Sequence, residues 1–483
     1  MQQDQNEPCQ CLIAGGGIVG LVLALALKKH VGITAEVYEK AEGFADDVGA
    51  ALGMYPNGLR VLRDIDPKLM EAVKEAGHPY IYRRWERHDG TEIAVASEDI
   101  LSSEDKDLCS LGIRRWRLQK VLYEAVLDAG IPLRFSKAIS NVVERDDEDR
   151  IQVVFEDGTS RYTNLLFGAD GGKSTVRRIV ANGTFELSYT GVTCLMGMSD
   201  CPSQQEGISF PSSETTQCHA VYFPTGTDEQ CFQIHIPTRE EEADKDNWGN
   251  LSTVEGKEEF ARIAETMKED GWHQRYIDPL YRVEHAVKVG FCLLEPRLQK
   301  WVYGRNRRII LVGDAAHPPV PYVGQGAQMG VEDAGTLTLL LKNLCSSAPG
   351  DLNLKRLDEA TKLYEKLRIP RTAMVLDCSK QLGKLQESRT NKSEVGLQEL
   401  ILQAEVMLND TLPVMFPGAT FNYREEVVHA ITDLTELEAK LDDRDAFEDL
   451  MARAGDIFGE YDHPLAPPST ASFVPATAVR TAH

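Results

Sequence analysis

Two stretches of this chain carry residue types at spacings that could do chemistry. In the first, Gly15-x-Gly17-x-x-Gly20 separates two apolar runs. The first glycine allows a tight turn. The second lets backbone approach a pyrophosphate, and the third lets a helix pack closely on a strand. The helix that follows offers free N–H groups to anionic oxygens. Glu39 follows Gly20 at the end of a second apolar run. A carboxylate there accepts both ribose hydroxyls of an adenosine and repels a 2′-phosphate, so the pocket suits FAD or NAD rather than NADP. The competing reading is a glycine-rich turn that binds nothing.

The second stretch is GDAAHPPVPYVGQGA, Gly313 to Ala327. Asp314 closes the apolar run Arg308–Val312, which reads as a buried strand, and so lies at a strand's carboxyl end, where such sheets bind ligands. Pro318, Pro319 and Pro321 stiffen the loop and remove N–H groups. Gly324, Gln325 and Gly326 let backbone N–H groups point at an acceptor near a helix N-terminus. That polarity suits a ring system that gains negative charge on reduction, such as an isoalloxazine.

The elements that must position these residues are legible at low resolution. The start reads β-α-β: a strand at Cys11–Ala14, a helix at Ile18–His30 and a strand at Ala35–Tyr38. Helices are expected at Pro67–Ala76 and Leu118–Ala129, and a hairpin at Trp85–Ala96 around Asp89-Gly90. Strands are expected at Leu133–Phe135 and Ile151–Phe155. Residues 186–295 alternate in the manner of an antiparallel sheet, most clearly in CHAVYF (218–223) and CFQIHI (231–236). Arg239–Asp246 reads as a solvated loop or helix start. After Val331 the chain reads helical to about Leu408, with a break at Ala348-Pro349-Gly350. The tail from Gly459 reads as disordered.

Composition narrows the partners. The chain has 483 residues, 42% of them hydrophobic, and a net charge of −23. That length implies two or three domains. An acidic field repels phosphate backbones and anionic membranes, so nucleic acid is not the expected partner. Ten scattered cysteines without a CxxC pair suit reduced thiols. The polar N-terminus lacks a signal-peptide pattern, and no apolar run is long enough to span a bilayer, so a cytoplasmic location without transmembrane segments is expected. His30, His78, His88, His219, His235 and His317 show no HxH or HExxH spacing, so no metal site is expected.

GDAAHPPVPYVGQGAQMGVEDA closely resembles the GD motif of class A FAD-dependent monooxygenases of the para-hydroxybenzoate and salicylate hydroxylase type. GADGGKSTVR (168–177) is similar to that family's DGxxSxxR pattern, and Arg115 with Leu118 and Leu122 resembles its R-x-x-L-x-x-x-L segment. Gly49–Gly53, Asn57 and Tyr364–Arg371 also match, so the resemblance covers residues 10 to 375. It implies FAD held at Gly15, Gly17, Gly20, Glu39, Ala51, Gly53, Arg115, Asp170, Asp314, Pro318, Gly324, Gly326 and Ala327. Arg177 would fix the loop. In this family Asp314 would meet the ribityl chain, Pro318 the ring and Gly324–Ala327 the ring edge.

The implied fold is α/β, with a Rossmann-like FAD-binding domain of the GR2 type, an interleaved α+β substrate domain and a C-terminal helical region. The FAD-binding domain would take residues 1–78, 109–185 and 292–345. The substrate domain would take 79–108 and 186–291, and the helical region 346–458, leaving a disordered tail at 459–483. The implied reaction uses NAD(P)H and O₂ to form a flavin C4a-hydroperoxide that hydroxylates or epoxidises a small lipophilic substrate. GAALGMYPNGLRVLRDID resembles the paxM-type fungal secondary-metabolite branch, which implies a polyketide or terpenoid substrate, with polyene epoxidation preferred. Aromatic hydroxylation is the alternative. A flavin halogenase would carry GWxWxIP, which is absent. A Rab-escort-like binding protein would not need the Gly313–Ala327 loop. One face of the middle sheet is expected to roof the substrate cavity, with Tyr222 and His235 as candidate catalytic side chains. No arginine occurs between Arg178 and Arg239, which favours a neutral substrate. Oligomeric state is left open.

Overall fold

A computed structural model describes residues 8–45, 49–97, 108–145, 150–183, 185–204, 206–213, 215–216, 218–243, 248–387 and 422–441. The chain separates into two compact units, Met1–Phe421 and Asn422–His483. In the second unit the described element is one helix, Tyr423–Leu441. The expected tail from Gly459 lies outside the described residues, as do residues 388–408 of the expected helical stretch and 442–458 of the expected helical region.

Unit one is mixed α/β and holds two eight-stranded sheets. The core of the first sheet is parallel. Its order is Ile309–Leu311, Ser160–Gly168, Cys9–Ala14, Glu36–Tyr38 and Leu133–Arg134. Their central residues, Leu12, Ile13, Val37, Leu165–Phe167 and Ile309–Leu311, are apolar and buried, as a sheet buried on both faces requires. An antiparallel edge is added by Val302–Tyr303, and a second by Arg150–Phe155 with Ile139–Arg145. Helices Ile18–Ala26 and Gly326–Cys345 pack on one another. Gly330 permits their close approach, because a Cβ there would lie 2.4 Å from a Val19 methyl. Helix Leu357–Glu387 packs on Gly326–Cys345 in turn.

The second sheet runs Gly249–Leu251, Val283–Leu294, Leu187–Ser199, Glu229–Pro237, His219–Gly226, Ile208–Ser212, Tyr82–Arg87 and Glu92–Ser97. All its described pairings are antiparallel except Ile208–Ser212 with Tyr82–Arg87. One face is covered by helices Thr253–Glu269 and Gln274–Tyr281, which with the connecting Trp272 bury Phe260 and Tyr276 against Phe232 and Ile234. An α+β substrate domain was expected here, but the alternating pattern of residues 186–295 did not locate these two helices. A small third sheet joins Ala51–Met54, Leu111–Arg114 and His78–Pro79. Among the described residues no helix is long and apolar enough to cross a membrane.

Candidate cofactor and substrate site

The glycine turn leaves strand Cys9–Ala14 and enters helix Ile18–Ala26. Gly15 adopts φ +105°, and a Cβ there would lie 2.5 Å from the Ala169 carbonyl. A Cβ on Gly20 would lie 2.0 Å from the Gly15 carbonyl oxygen. Both glycines are therefore forced by the protein's own packing. Gly17 differs: its backbone is ordinary, φ −70°, and a Cβ would meet nothing within 4 Å. The space it keeps clear opens onto a cavity. Glu39 sits beside the turn, where its carboxylate accepts from the Gly16 N–H (2.7 Å) and the Ala41 N–H (2.9 Å).

The proline-stiffened loop leaves strand Ile309–Leu311, two positions away from Cys9–Ala14 in the parallel sheet. Both turns thus emerge from the carboxyl ends of parallel strands roughly 10 Å apart. One cavity of about 780 Å³ touches both. Gly17, Ile18 and Val19 belong to its wall, and so do Asp314, Gly324, Gly326 and Ala327. Asp314 opens into this cavity. The side chain stays exposed to the cavity, while desolvation by the protein around it nudges its carboxyl above the usual range, against the pull of His317 and Arg115.

Arg177 ties the intervening loop to this one. Its guanidinium donates to the carbonyls of Gly172 (2.5 Å), Asp314 (3.3 Å) and Ala315 (2.9 Å). Asp170 lies behind the wall. It accepts from the Ser174 hydroxyl and from the Thr175 and Val176 N–H groups, and so caps helix Thr175–Val180. Ala169 and Gly171 are the residues of that loop that line the cavity.

Three neighbouring arginines divide their work. Arg114 and Arg117 both pair with Glu229, at 2.8 Å and 2.5 Å. Arg115 lines the cavity. Ala51 and Gly53 line it too, from strand Ala51–Met54. Gln328 joins the two walls by donating to the Gly53 and Gly324 carbonyls, each at 2.8 Å. Beneath them lies a buried ionic network. Arg368, fully buried, bonds Glu332 and Asp333, each at 2.7 Å. Asp333 also accepts from the Gly313 N–H and bonds His317. Burial alone would raise the Asp333 carboxyl, but His317 and Arg368 overcome it and hold the group down to about 2. Asn57 donates to Glu332 and Gln325.

The remaining wall is the open face of the second sheet. Met196, Val221, Phe223, Gln233 and His235 project from its strands into the cavity, with Val289 and Phe291 from the adjoining strand. Tyr222, expected as a catalytic candidate, is on the wrong face. Residues alternate along a strand, and Cys218, Ala220 and Tyr222 point into the helix-covered core. The Tyr222 hydroxyl donates to the Tyr276 carbonyl at 2.7 Å, and the side chain is 4% exposed. Both faces of CHAVYF are apolar, so the pattern alone did not choose between them. His235 is on the cavity side, between the rings of Phe291 (5.0 Å) and Tyr322 (5.9 Å). Burial pushes its imidazole down to about 4, so it is neutral.

Pro318 also departs from expectation. Pro319 and Pro321 reach the main cavity, while Pro318 faces a separate space of about 100 Å³ beside Trp301 and His317. Sequence reasoning missed Tyr55, Phe210 and the strand Val283–Leu294, although Val287, Val289 and Phe291 repeat with a period of two. The space beyond Gly17, the free helix N–H groups, the Asp314 carboxylate and the Gly324–Ala327 turn share one cavity, and this donor set fits FAD.

Comparison with known proteins agrees. The model of the FAD binding domain family FAD_binding_3 matches residues 8–367. The chain is 24% identical to the dual trans-enoyl reductase/FAD-dependent monooxygenase tazHJ of Aspergillus terreus, over 84% of this chain and 58% of tazHJ. It is 30% identical to the 3-amino-4-hydroxybenzoate 2-monooxygenase PtmB3 of Streptomyces platensis, over 79% of this chain and 90% of that protein. Among solved structures, a salicylate hydroxylase substrate complex superposes with a TM-score of 0.66 at 21% identity, covering 88% of this chain and 98% of that one. With the motifs, the shared cavity and a family match spanning most of its length, this chain belongs to the FAD binding domain family.

Proposed function

We propose that this chain is an FAD-dependent monooxygenase that uses NAD(P)H and O₂ to oxygenate a small, lipophilic, uncharged substrate. The preferred reaction is epoxidation of a polyene, with the substrate a polyketide or terpenoid intermediate of fungal secondary metabolism. One observation carries the reading: the cavity that joins the two cofactor turns continues into an apolar sheet wall, and among the described residues that wall has no charged side chain. Arg115 and Asp314, the charged residues of the described lining, belong to the cofactor turns and their surroundings. The similarity to tazHJ of Aspergillus terreus supports the fungal assignment.

Bound FAD supplies the redox chemistry, taking electrons from NAD(P)H and activating O₂. The chain's own residues bind, orient and exclude water. Gly17 and the first N–H groups of helix Ile18–Ala26 would take the pyrophosphate. Arg115 would balance its charge, and Asp314 would accept from hydroxyls of the sugar-like chain. The N-terminus of helix Gly326–Cys345 would favour negative charge at the ring edge. Phe210, Phe223 and Phe291 would keep water away from the reacting centre. In this reading residues 1–78, 109–185 and 292–345 serve the cofactor, and 79–108 with 186–291 serve the substrate.

Similarity to PtmB3 favours a second reading, hydroxylation of an aromatic ring. Purified protein tests both. A yellow preparation should add one oxygen mass to a conjugated polyene in the presence of NADPH and air. Addition to a phenol but not to the polyene selects the second reading. A colourless protein that cannot be reconstituted with FAD rejects both.

A further inference from the structure

His235 is the group in this cavity whose chemistry the fold leaves unused. Its side chain is 5% exposed, yet neither Nδ1 nor Nε2 has a hydrogen-bond partner among the described residues. A buried imidazole without partners forfeits the hydrogen bonds it made to water. Such a cost persists where another molecule supplies the missing partner. The ring cannot turn away to find one inside the sheet. It is held edge-to-face between Phe291 and Tyr322. The strand neighbours in register are Cys194 on one side and His219 on the other. The Nδ1 of His219 is itself committed to Ser212 at 2.8 Å.

Among the described residues no carboxylate pairs with His235 to hold it as a cation, and burial disfavours that form. The ring therefore offers one N–H donor and one nitrogen acceptor, which is the complement of a hydroxyl or a carbonyl. It does not offer the charge that a carboxylate would need. Gln233, two residues earlier on the same face, adds a second neutral polar group at the wall.

We infer that His235 is a substrate-positioning and specificity-determining residue, which holds a neutral hydroxyl or carbonyl oxygen of an otherwise apolar substrate. The inference rests on the functional reading above and deepens it. It replaces the expectation of a catalytic base with a hydrogen-bonding anchor. It also predicts which molecules the site rejects: an apolar ring bearing a carboxylate brings an anion to a wall whose described residues offer no cation to meet it.

The test uses three probes of equal ring size: 2-naphthol, 2-naphthoate and naphthalene. Binding to the FAD-loaded protein is read by perturbation of flavin absorbance. Wild type should bind 2-naphthol at least tenfold more tightly than 2-naphthoate at neutral pH. H235L should weaken 2-naphthol by about fivefold to tenfold, the loss of one neutral hydrogen bond, and leave naphthalene within about twofold. H235Q, which keeps a donor and an acceptor, should recover part of the loss. FAD content and thermal midpoint show that each variant is folded. Three results would overturn the inference: 2-naphthol binding H235L as it binds wild type, tighter binding of 2-naphthoate than of 2-naphthol, or no binding of 2-naphthol to wild type. A protein that takes up no FAD refutes the functional reading alone. Quenching of tryptophan emission by 2-naphthol, compared between wild type and H235L, then still reads the anchor.

Discussion

Gly17 and Gly20 are three residues apart in one turn, and the structure assigns them opposite consequences when a methyl group is added. At Gly17 the backbone angles of −70° and 179° suit alanine, and the new Cβ would meet no atom within 4 Å. Losing glycine's freedom in the unfolded chain stabilises by about 0.4–1 kcal/mol. Replacing a helix-capping glycine with alanine costs a similar amount, about 0.5–1 kcal/mol. The fold of G17A should therefore melt within about 2 °C of wild type. The methyl would occupy the space into which the pyrophosphate is proposed to fit. Overfilling a packed site costs about 1–3 kcal/mol, which weakens FAD by about fivefold to 150-fold.

At Gly20 the same methyl would lie 2.0 Å from the Gly15 carbonyl oxygen, so helix and strand must separate. G20A should lose more than about 3 kcal/mol of stability, beyond ordinary overpacking. The assay is a thermal melt of each apoprotein, followed by calorimetric titration with FAD. Wild-type FAD affinity in a folded G17A would refute the placement of the pyrophosphate. A G17A as unstable as G20A would refute the claim that its open space is reserved for a ligand.

Other outcomes follow from the same geometry. D314N should lower FAD occupancy. The Asp314 side chain is exposed to the cavity, so the amide should leave the melting temperature of the apoprotein close to wild type at pH 7. R368L leaves Glu332 and Asp333 buried without their shared cation and should cost about 3–5 kcal/mol in denaturant unfolding. Wild-type Asp333, held down to about 2, contributes stability that is present above about pH 4 and lost as pH falls toward 2; acid unfolding of R368L should begin at higher pH. Y222F should lose about 1 kcal/mol, from the bond to the Tyr276 carbonyl, with turnover unchanged. Loss of turnover with FAD retained would return Tyr222 to the site.

The parts of the site that the sequence exposed are those built on backbone constraint. Gly15 and Gly20 have no sterically allowed replacement, and a strand before and a helix after made their spacing readable. Asp314 was readable because a buried strand, a carboxylate and a glycine turn coincide. The choice among Arg114, Arg115 and Arg117 came from motif register, and Glu229, distant in sequence, is what pairs the other two. What sequence could not settle was which face of a sheet meets the cavity. Tyr222 and Phe223 are adjacent and both buried; helices in another part of the chain decide which faces the ligand. One of those helices did carry a signal. Ser252 and Glu255 form a capping box at the start of Thr253–Glu269, within a region whose clearest pattern is the strand alternation of 218–236. Strand Ala51–Met54 was obscure because its small residues carry little strand preference.

The central claim is that the glycine turn and the proline-stiffened turn hold the same flavin. A crystal structure of the purified protein with FAD tests it most directly. The account predicts one FAD per chain, its pyrophosphate against Gly17 and its isoalloxazine against Gly324–Ala327. A flavin that touches one turn while the other faces solvent would contradict it.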